Sequence, residues 1–367
     1  MSYILAINPG STSTKIALFA SYELHLKENF AHGSDEVSKF DHVIAQKEYR
    51  KNIILGWLKN HGIAKGDLAA VVGRGGLLRS IPSGCYKVDS LMLEDMNGCI
   101  RGEHASNLGA IIADEIAKEY GVCAYIVDPV SVDEFEPLAR ISGIPQLERK
   151  SMVHALNCRA MAFKYATEYA NGKSLEDLNL IIAHLGGGIS VVPMKRGKMV
   201  DANNANEMGP FSSERAGGLP VGDFVNICFS GAYSKAEVKN MIRGKGGLAG
   251  YLGTNDIKAV EEKGDPEELK FLEAMAYQIA KEIGGAAAVL EGKADAILLT
   301  GGAAYSKIIT KKIKEMTSFI ADVVVLAGED ELSALSSGVA RVLEGAEEAK
   351  NYTQESRRYE ESRKNSQ

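Results

Sequence analysis

YILAINPGSTSTKIALFA (residues 3–20) joins two apolar runs, 4–7 and 16–19, through a short polar turn. Each run reads as a buried strand. Between them stand Asn8, Pro9, Gly10, four consecutive hydroxyl residues that include Ser11 and Ser13, and then Lys15. A plain hairpin needs only a pair such as Asn-Gly. A turn this rich in donors either cradles phosphate, because backbone N–H groups converge where glycine lets a ligand approach, or is a decorated surface turn. It is not a Walker loop, whose lysine opens a helix rather than a second strand. The pattern recurs at LIIAHLGGGISVVPM (residues 180–194): strand, glycine turn, strand. Each copy opens a half of similar size, which points to a duplicated fold. Two such halves facing each other would form a cleft, with the paired turns holding the two ends of one polyphosphate.

Further strand-like runs lie near Val71, Ile126, Leu298 and Val324, with helical stretches between many of them. Residues 105–120 place Leu108, Ile111, Ile112 and Ile116 close to a 3.6-residue period, and residues 271–292 read as a longer helix. Such alternation indicates α/β layers. At 367 residues two domains are expected. They are set at 1–150, completed by 331–345, and 151–330. The polar stretch 346–367 is either a solvated helical extension or a disordered tail.

Composition narrows the class. Hydrophobic residues at 45% and charged residues at 25% are those of a soluble globular chain, and a net charge of -6 gives no footprint for nucleic acid. No apolar run approaches the roughly 18 residues that span a bilayer. The start lacks a basic region and a long apolar core, so no secretory signal is expected. Five cysteines, dispersed and without a C-x-x-C pair, fit reduced thiols in the cytoplasm.

Four clusters carry candidate chemistry. In GRGGLLRSIPSG (73–84), Arg74 follows a strand directly; in YIVDPVSVDEF (125–135), Asp128 ends one. That carboxylate is placed equally well for a metal or for capping the next segment. KSMVHALN (150–157) puts His154 in the first turns of a helix, and GPFSSERAGGLPVGDF (209–224) puts Arg215 in a Gly/Ser/Pro loop. A surface arginine or a packed histidine is the commoner fate of each residue alone. Together with paired glycine turns they match what phosphoryl transfer needs, positioning and charge neutralisation. GKGGLAG (244–250) follows a helix and lacks the spacing of a dinucleotide fingerprint, and no G-x-S-x-G, HExxH or EF-hand loop is present.

These blocks, with GEHASNLGAIIADEIA (102–117), the run from Val127 to Asn157, AHLGGGISV (183–191) and LLTGGAAYS (298–306), resemble butyrate kinases. Those belong with acetate and propionate kinases in the superfamily of sugar kinases, actin and chaperone ATPases. The resemblance runs from about Tyr3 to Glu344. It implies two ribonuclease-H-like, actin-like ATPase domains around an ATP cleft. It also implies a reversible reaction of an aliphatic carboxylate with ATP to an acyl phosphate and ADP, with Mg2+. By the same resemblance Asn8, Ser11, Ser13 and Lys15 contact phosphate, as do His184, Gly186, Gly187 and Gly188. Gly301 and Gly302 form the adenosine loop. Arg74 and Arg215 hold the carboxylate and the transferring phosphoryl group, Asp128 is catalytic and near the metal, and His154 is the active-site histidine. For the metal-associated glutamate, AGEDELSAL (327–335) offers Glu329, Asp330 and Glu331, of which Glu331 is favoured. Gly75, Gly76 and Val153 replace bulkier residues of acetate kinases, so the acyl pocket is expected to be larger and to take butyrate or branched acids. A homo-oligomer is expected. Acetate or propionate as substrate, a sugar or polyol kinase with Asp128 as base, and a slow actin-like ATPase are the alternatives. The arginine pair disfavours the last two.

Overall fold

The computed structural model describes residues 2–365, which divide into two compact units. The first takes the chain up to Asp133, Ala155–Ala160, and the chain from Asp330 on; the second takes Glu134–His154 and Met161–Glu329. In chain order the first strands are β1 (Tyr3–Pro9), β2 (Ser13–Ala20), β3 (Glu23–Ala31), β4 (Leu68–Arg74), β5 (Cys85–Lys87) and β6 (Cys123–Val127). Then come β7 (Asn179–Leu185), β8 (Ile189–Lys195), β9 (Lys198–Met199), β10 (Ala296–Gly301), β11 (Val323–Ala327) and β12 (Lys350–Asn351).

The first unit holds a seven-stranded sheet ordered β12-β5-β6-β4-β1-β2-β3, the second a five-stranded sheet ordered β11-β10-β7-β8-β9. In the first, β1, β2 and β3 pair antiparallel, and β4 then β6 continue parallel from β1. In the second, β7, β8 and β9 pair antiparallel, and β10 then β11 continue parallel from β7. The two sheets therefore repeat one topology, a meander followed by two crossover strands. This is the duplicated α/β fold that the two glycine turns announced. Only the first sheet is extended, by β5 and β12.

Both faces of the first sheet are covered, which is why β1 reads as an unbroken apolar run. Leu5 and Ile7 pack with Ile54, Trp57 and Leu58 of helix Lys47–Asn60 and with Leu108, Ile112 and Ile116 of helix Asn107–Tyr120. Ile4 and Ala6 point the other way, onto Leu332, Leu335 and Val339 of helix Glu331–Leu343. In the second unit Ile181, Ala183, Ile297 and Leu299 pack against Leu272, Met275, Ile279 and Ile283 of helix Pro266–Val289.

The polar C-terminal stretch carries β12, parallel to β5, and the helix Tyr352–Asn365. Tyr352 anchors it: the ring is fully buried and the hydroxyl donates to Asp95 at 2.7 Å. One buried tyrosine in so polar a sequence leaves no periodic signal of a docked helix.

Candidate active site

In the first unit Ile7 pairs with Gly73, so β1 and β4 end level with each other and present Asn8 and Arg74 at the same edge. Both side chains reach Glu331. The Asn8 amide donates to one carboxylate oxygen and the Arg74 guanidinium to the other. Glu331 opens helix Glu331–Leu343, where the dipole favours an anion, and Asp330 caps that helix by accepting from the Ser333 N–H at 3.2 Å. The β1–β2 turn is closed by the Gly10 N–H on the Ser13 carbonyl at 2.8 Å. Lys15 lies opposite Asn8 in the ladder; it and Ser11 are exposed, and Ser13 is half-buried.

Asp128 follows β6 in a left-handed backbone conformation and is buried. Its Oδ1 accepts from the Gly84 N–H at 2.6 Å and from Arg159 at 3.2 Å. Arg159 also bonds Glu347 at 3.2 Å, and Glu347 accepts from Arg341 at 3.0 Å. Burial pushes the Asp128 carboxyl up, against the pull of Arg159 and the Gly84 N–H. At Gly75 a side chain's first carbon would fall 2.5 Å from the Pro129 Cβ, and at Gly76 2.7 Å from the Asn107 Cα. A side chain at either glycine would therefore collide with Pro129 or Asn107.

In the second unit Val153 is buried and His154 stands directly before helix Ala155–Glu168. The His154 ring stacks on that of His184, near the end of β7, with centroids 4.3 Å apart and planes 14° from parallel. The Glu329 carboxylate lies 3.5 Å from His184 Nε2 and 4.0 Å from His154 Nε2. Gly186, Gly187 and Gly188 connect β7 to β8. The Ser212 hydroxyl donates to the Gly187 carbonyl at 2.5 Å. The Arg215 guanidinium lies against Gly188 so closely that a Cβ there would meet Nη1 at 2.2 Å. Burial pulls the Arg215 guanidinium below its usual range, Glu214 working against the shift and Arg243 with it. Gly301 ends β10 in the left-handed region, bridged to Gly328, and Gly302 faces open space.

The three neighbouring acids thus divide. Glu331 joins Asn8 and Arg74, Asp330 caps a helix, and Glu329 stands beside the histidines. Among the described residues His154, His184 and Glu329 are the group of metal-capable side chains, with donor atoms within 4.8 Å of one another. Two imidazoles and a carboxylate suit a metal such as zinc, whereas Mg2+ prefers oxygen. Sequence reasoning did not reach Arg159, Glu347 or Ser212, since nothing local distinguishes them from ordinary helix and loop residues.

Residues 146–324 match the family model described as the Acetokinase family. Among solved structures similar to this chain is the acetate kinase of Porphyromonas gingivalis, with a TM-score of 0.75 at 18% identity, covering 94% of this chain and 100% of that one. A propionate kinase from Francisella tularensis subsp. tularensis SCHU S4 has a TM-score of 0.70 at 20% identity, covering 92% and 99%. The acetate kinase of Entamoeba histolytica has a TM-score of 0.70 at 18% identity, covering 93% and 99%. At these identities the structures establish the fold. The family match within that fold supports an enzyme that transfers a phosphoryl group to a carboxylate.

Proposed function

We propose that this chain transfers the γ-phosphoryl group of ATP to a short-chain aliphatic carboxylate, butyrate and branched relatives such as isobutyrate, giving an acyl phosphate and ADP reversibly. The observation that carries the reading is the Arg215 guanidinium set against Gly188 in the glycine turn after β7. A fixed cation over a side-chain-free turn is suited to a phosphoryl group and has no comparable use in a bland hairpin.

A carboxylate is already ionised at neutral pH. Its oxygen bonds to the γ-phosphorus while the bridging P–O bond breaks and the electron pair leaves on ADP. No proton is removed from the acceptor, so the barrier is largely the approach of two anions. Arg215 and Arg74 lower it by neutralising charge on the phosphoryl oxygens and the substrate carboxylate, and His154 adds a hydrogen-bond donor. The turn residues Asn8, Ser11, Ser13, Lys15, Gly186, Gly187 and Gly188, with His184, hold phosphate oxygens, and the loop of Gly301 and Gly302 takes the adenosine, Gly302 facing open space. A sugar or polyol kinase would need a base at Asp128. That carboxylate is 2% exposed and already engaged by Gly84 and Arg159, which disfavours the alternative.

Magnesium suits the oxygen donors of the first unit. Glu331 and Asp128 would hold it, and each already meets a guanidinium, Arg74 and Arg159 respectively; Glu331, with 23% of its side chain exposed against 2% for Asp128, is the more accessible. When bound, the ion offsets phosphate charge. The preference for longer acids rests on Val153, because Gly75 and Gly76 are packed against neighbours. Each further methylene buried is worth about 0.8 kcal/mol. Acetate and propionate are the coarser alternative substrates.

A cytoplasmic home is supported by cysteines that form no disulfide, and no helix of the described residues is long and apolar enough to cross a membrane. A homo-oligomer is supported by helix Val221–Phe229, which exposes Val221, Val225, Ile227 and Phe229. The test is kcat/KM for acetate, propionate, butyrate and isobutyrate in a coupled assay, on the natural chain and on Val153→Phe. Butyrate should exceed acetate by about tenfold or more, and the substitution should shift preference toward shorter acids. A natural chain that favours acetate would overturn the butyrate assignment.

A further inference from the structure

Beneath the β1–β2 turn lies a buried cation that the chemistry above does not use. Arg50, in the first turn of helix Lys47–Asn60, is 1% exposed. Its Nη1 donates to the carbonyls of Gly10 and Ser13, each at 2.9 Å, and to the Thr14 hydroxyl at 3.0 Å. Nη2 donates to the Ser11 carbonyl at 3.4 Å and to Gln46 Oε1 at 2.8 Å, and Nε reaches the same oxygen at 3.1 Å. Every one of these acceptors is neutral. His32 Nε2, 2.8 Å from the Thr14 hydroxyl, closes the network on the other side.

Burying a guanidinium among neutral acceptors is costly, and the penalty shows in an Arg50 pulled below its usual range by burial. Holding a surface turn in shape would not require a full charge. The carbonyls explain it better. In a trans peptide the N–H points opposite to the carbonyl it shares a plane with, and no peptide bond here is cis. With the Gly10 and Ser11 carbonyls turned onto Arg50, the N–H groups of Ser11 and Thr12 face away from it, toward the exposed side of the turn.

We propose that Arg50 is the positioning residue of this turn, fixing its carbonyls inward so that the Ser11 and Thr12 N–H groups are aimed at the polyphosphate of a nucleotide. Its charge, buried directly behind the turn and little screened, favours an anion on the far side. The inference deepens the kinase reading and rests on it.

Arg50→Met keeps length and loses charge and donors; Arg50→Lys keeps the charge and fewer of the bonds. The measurements are ATP affinity by calorimetry, KM for ATP and for the carboxylate, kcat, and the melting temperature. Arg50→Met should weaken ATP binding and raise its KM about tenfold to a hundredfold, with kcat and the carboxylate KM within about threefold. Arg50→Lys should recover part of the loss. A natural chain that binds no ATP overturns the kinase reading and this one with it. A natural chain that binds ATP, with both variants folded and binding equally well, overturns this inference alone. So does an equal rise in both KM values, or loss of the fold in both variants, since either marks Arg50 as structural only.

Discussion

Truncating Arg215 to alanine removes one guanidinium while the Ser212 hydroxyl keeps its bond to Gly187, so the turn itself stays braced. Arg215→Ala should therefore lower kcat by about two to three orders of magnitude with little change in melting temperature, the scale of losing one preorganised donor. Gly188→Ala should act in the same direction, because the new Cβ would occupy the space of Nη1. Steady-state kinetics and a thermal melt decide it; an unchanged kcat for Arg215→Ala would falsify the role. Arg215 could be singled out from sequence only in combination with the paired glycine turns, since alone an arginine in a Gly/Ser/Pro loop is more often a surface residue. The meeting of Asn8, Arg74 and Glu331 could not, since it joins residues more than 250 positions apart through strand register. Choosing among Glu329, Asp330 and Glu331 needed the backbone, which turns each into a different direction.

Between elements, the Arg159–Glu347–Arg341 network ties helix Ala155–Glu168 and helix Glu331–Leu343 to the end of β6 through Asp128. Burial works to raise the Glu347 carboxyl, but the two guanidiniums outweigh it and hold the group below its ordinary range. A depressed carboxylate contributes stability that is present above its unfolded value, about 4.3, and is lost as pH falls through the lower folded one. Glu347→Gln should lower stability by about 1–3 kcal/mol at pH 7, and the difference should shrink as pH falls below about 4.3 and vanish once pH is below the folded value. Urea midpoints for both chains from pH 7 to pH 3 test this; a gap that persists in acid would show that the loss is packing. Central strands such as β1 and β7 were legible because burial on both faces makes them uniformly apolar. β3 was not, because most of its residues face water. Helix Val221–Phe229 is apolar yet exposes that surface, so its sequence looks like core and its position is not.

For the whole chain, the duplication could be read from two short turns and 331–345 was expected to complete the first unit, while the place of Ala155–Ala160 and of the polar stretch after 345 in that unit could not be drawn from composition. Helix Glu331–Leu343 supplies Leu332, Leu335, Val339 and Ala340 to the core over Ile4, Ala6, Ala17 and Phe19. A chain ending at Glu329 would leave that face of the sheet uncovered. It should lose cooperative unfolding and bind a hydrophobic dye, whereas a chain ending at residue 345 keeps the cover and loses Glu347, β12 and the Tyr352 anchor. Calorimetry and dye fluorescence on the two truncations distinguish them, and a cooperative melt from the shorter chain would count against this account of the core.

Glu329, Asp330 and Glu331 follow one another with no spacer, yet one stands by two imidazoles, one caps a helix and one receives an amide and a guanidinium. Each position can be exchanged on its own, and each exchange disturbs one of the three tasks. Gaining or losing a single codon is different in kind. A shift of one place hands every carboxylate to its neighbour's task, so all three tasks fail in one event. Among the homologous genes of this chain, that stretch should vary in letters but hold its length, a ruler laid between two structures that must each find their own acid.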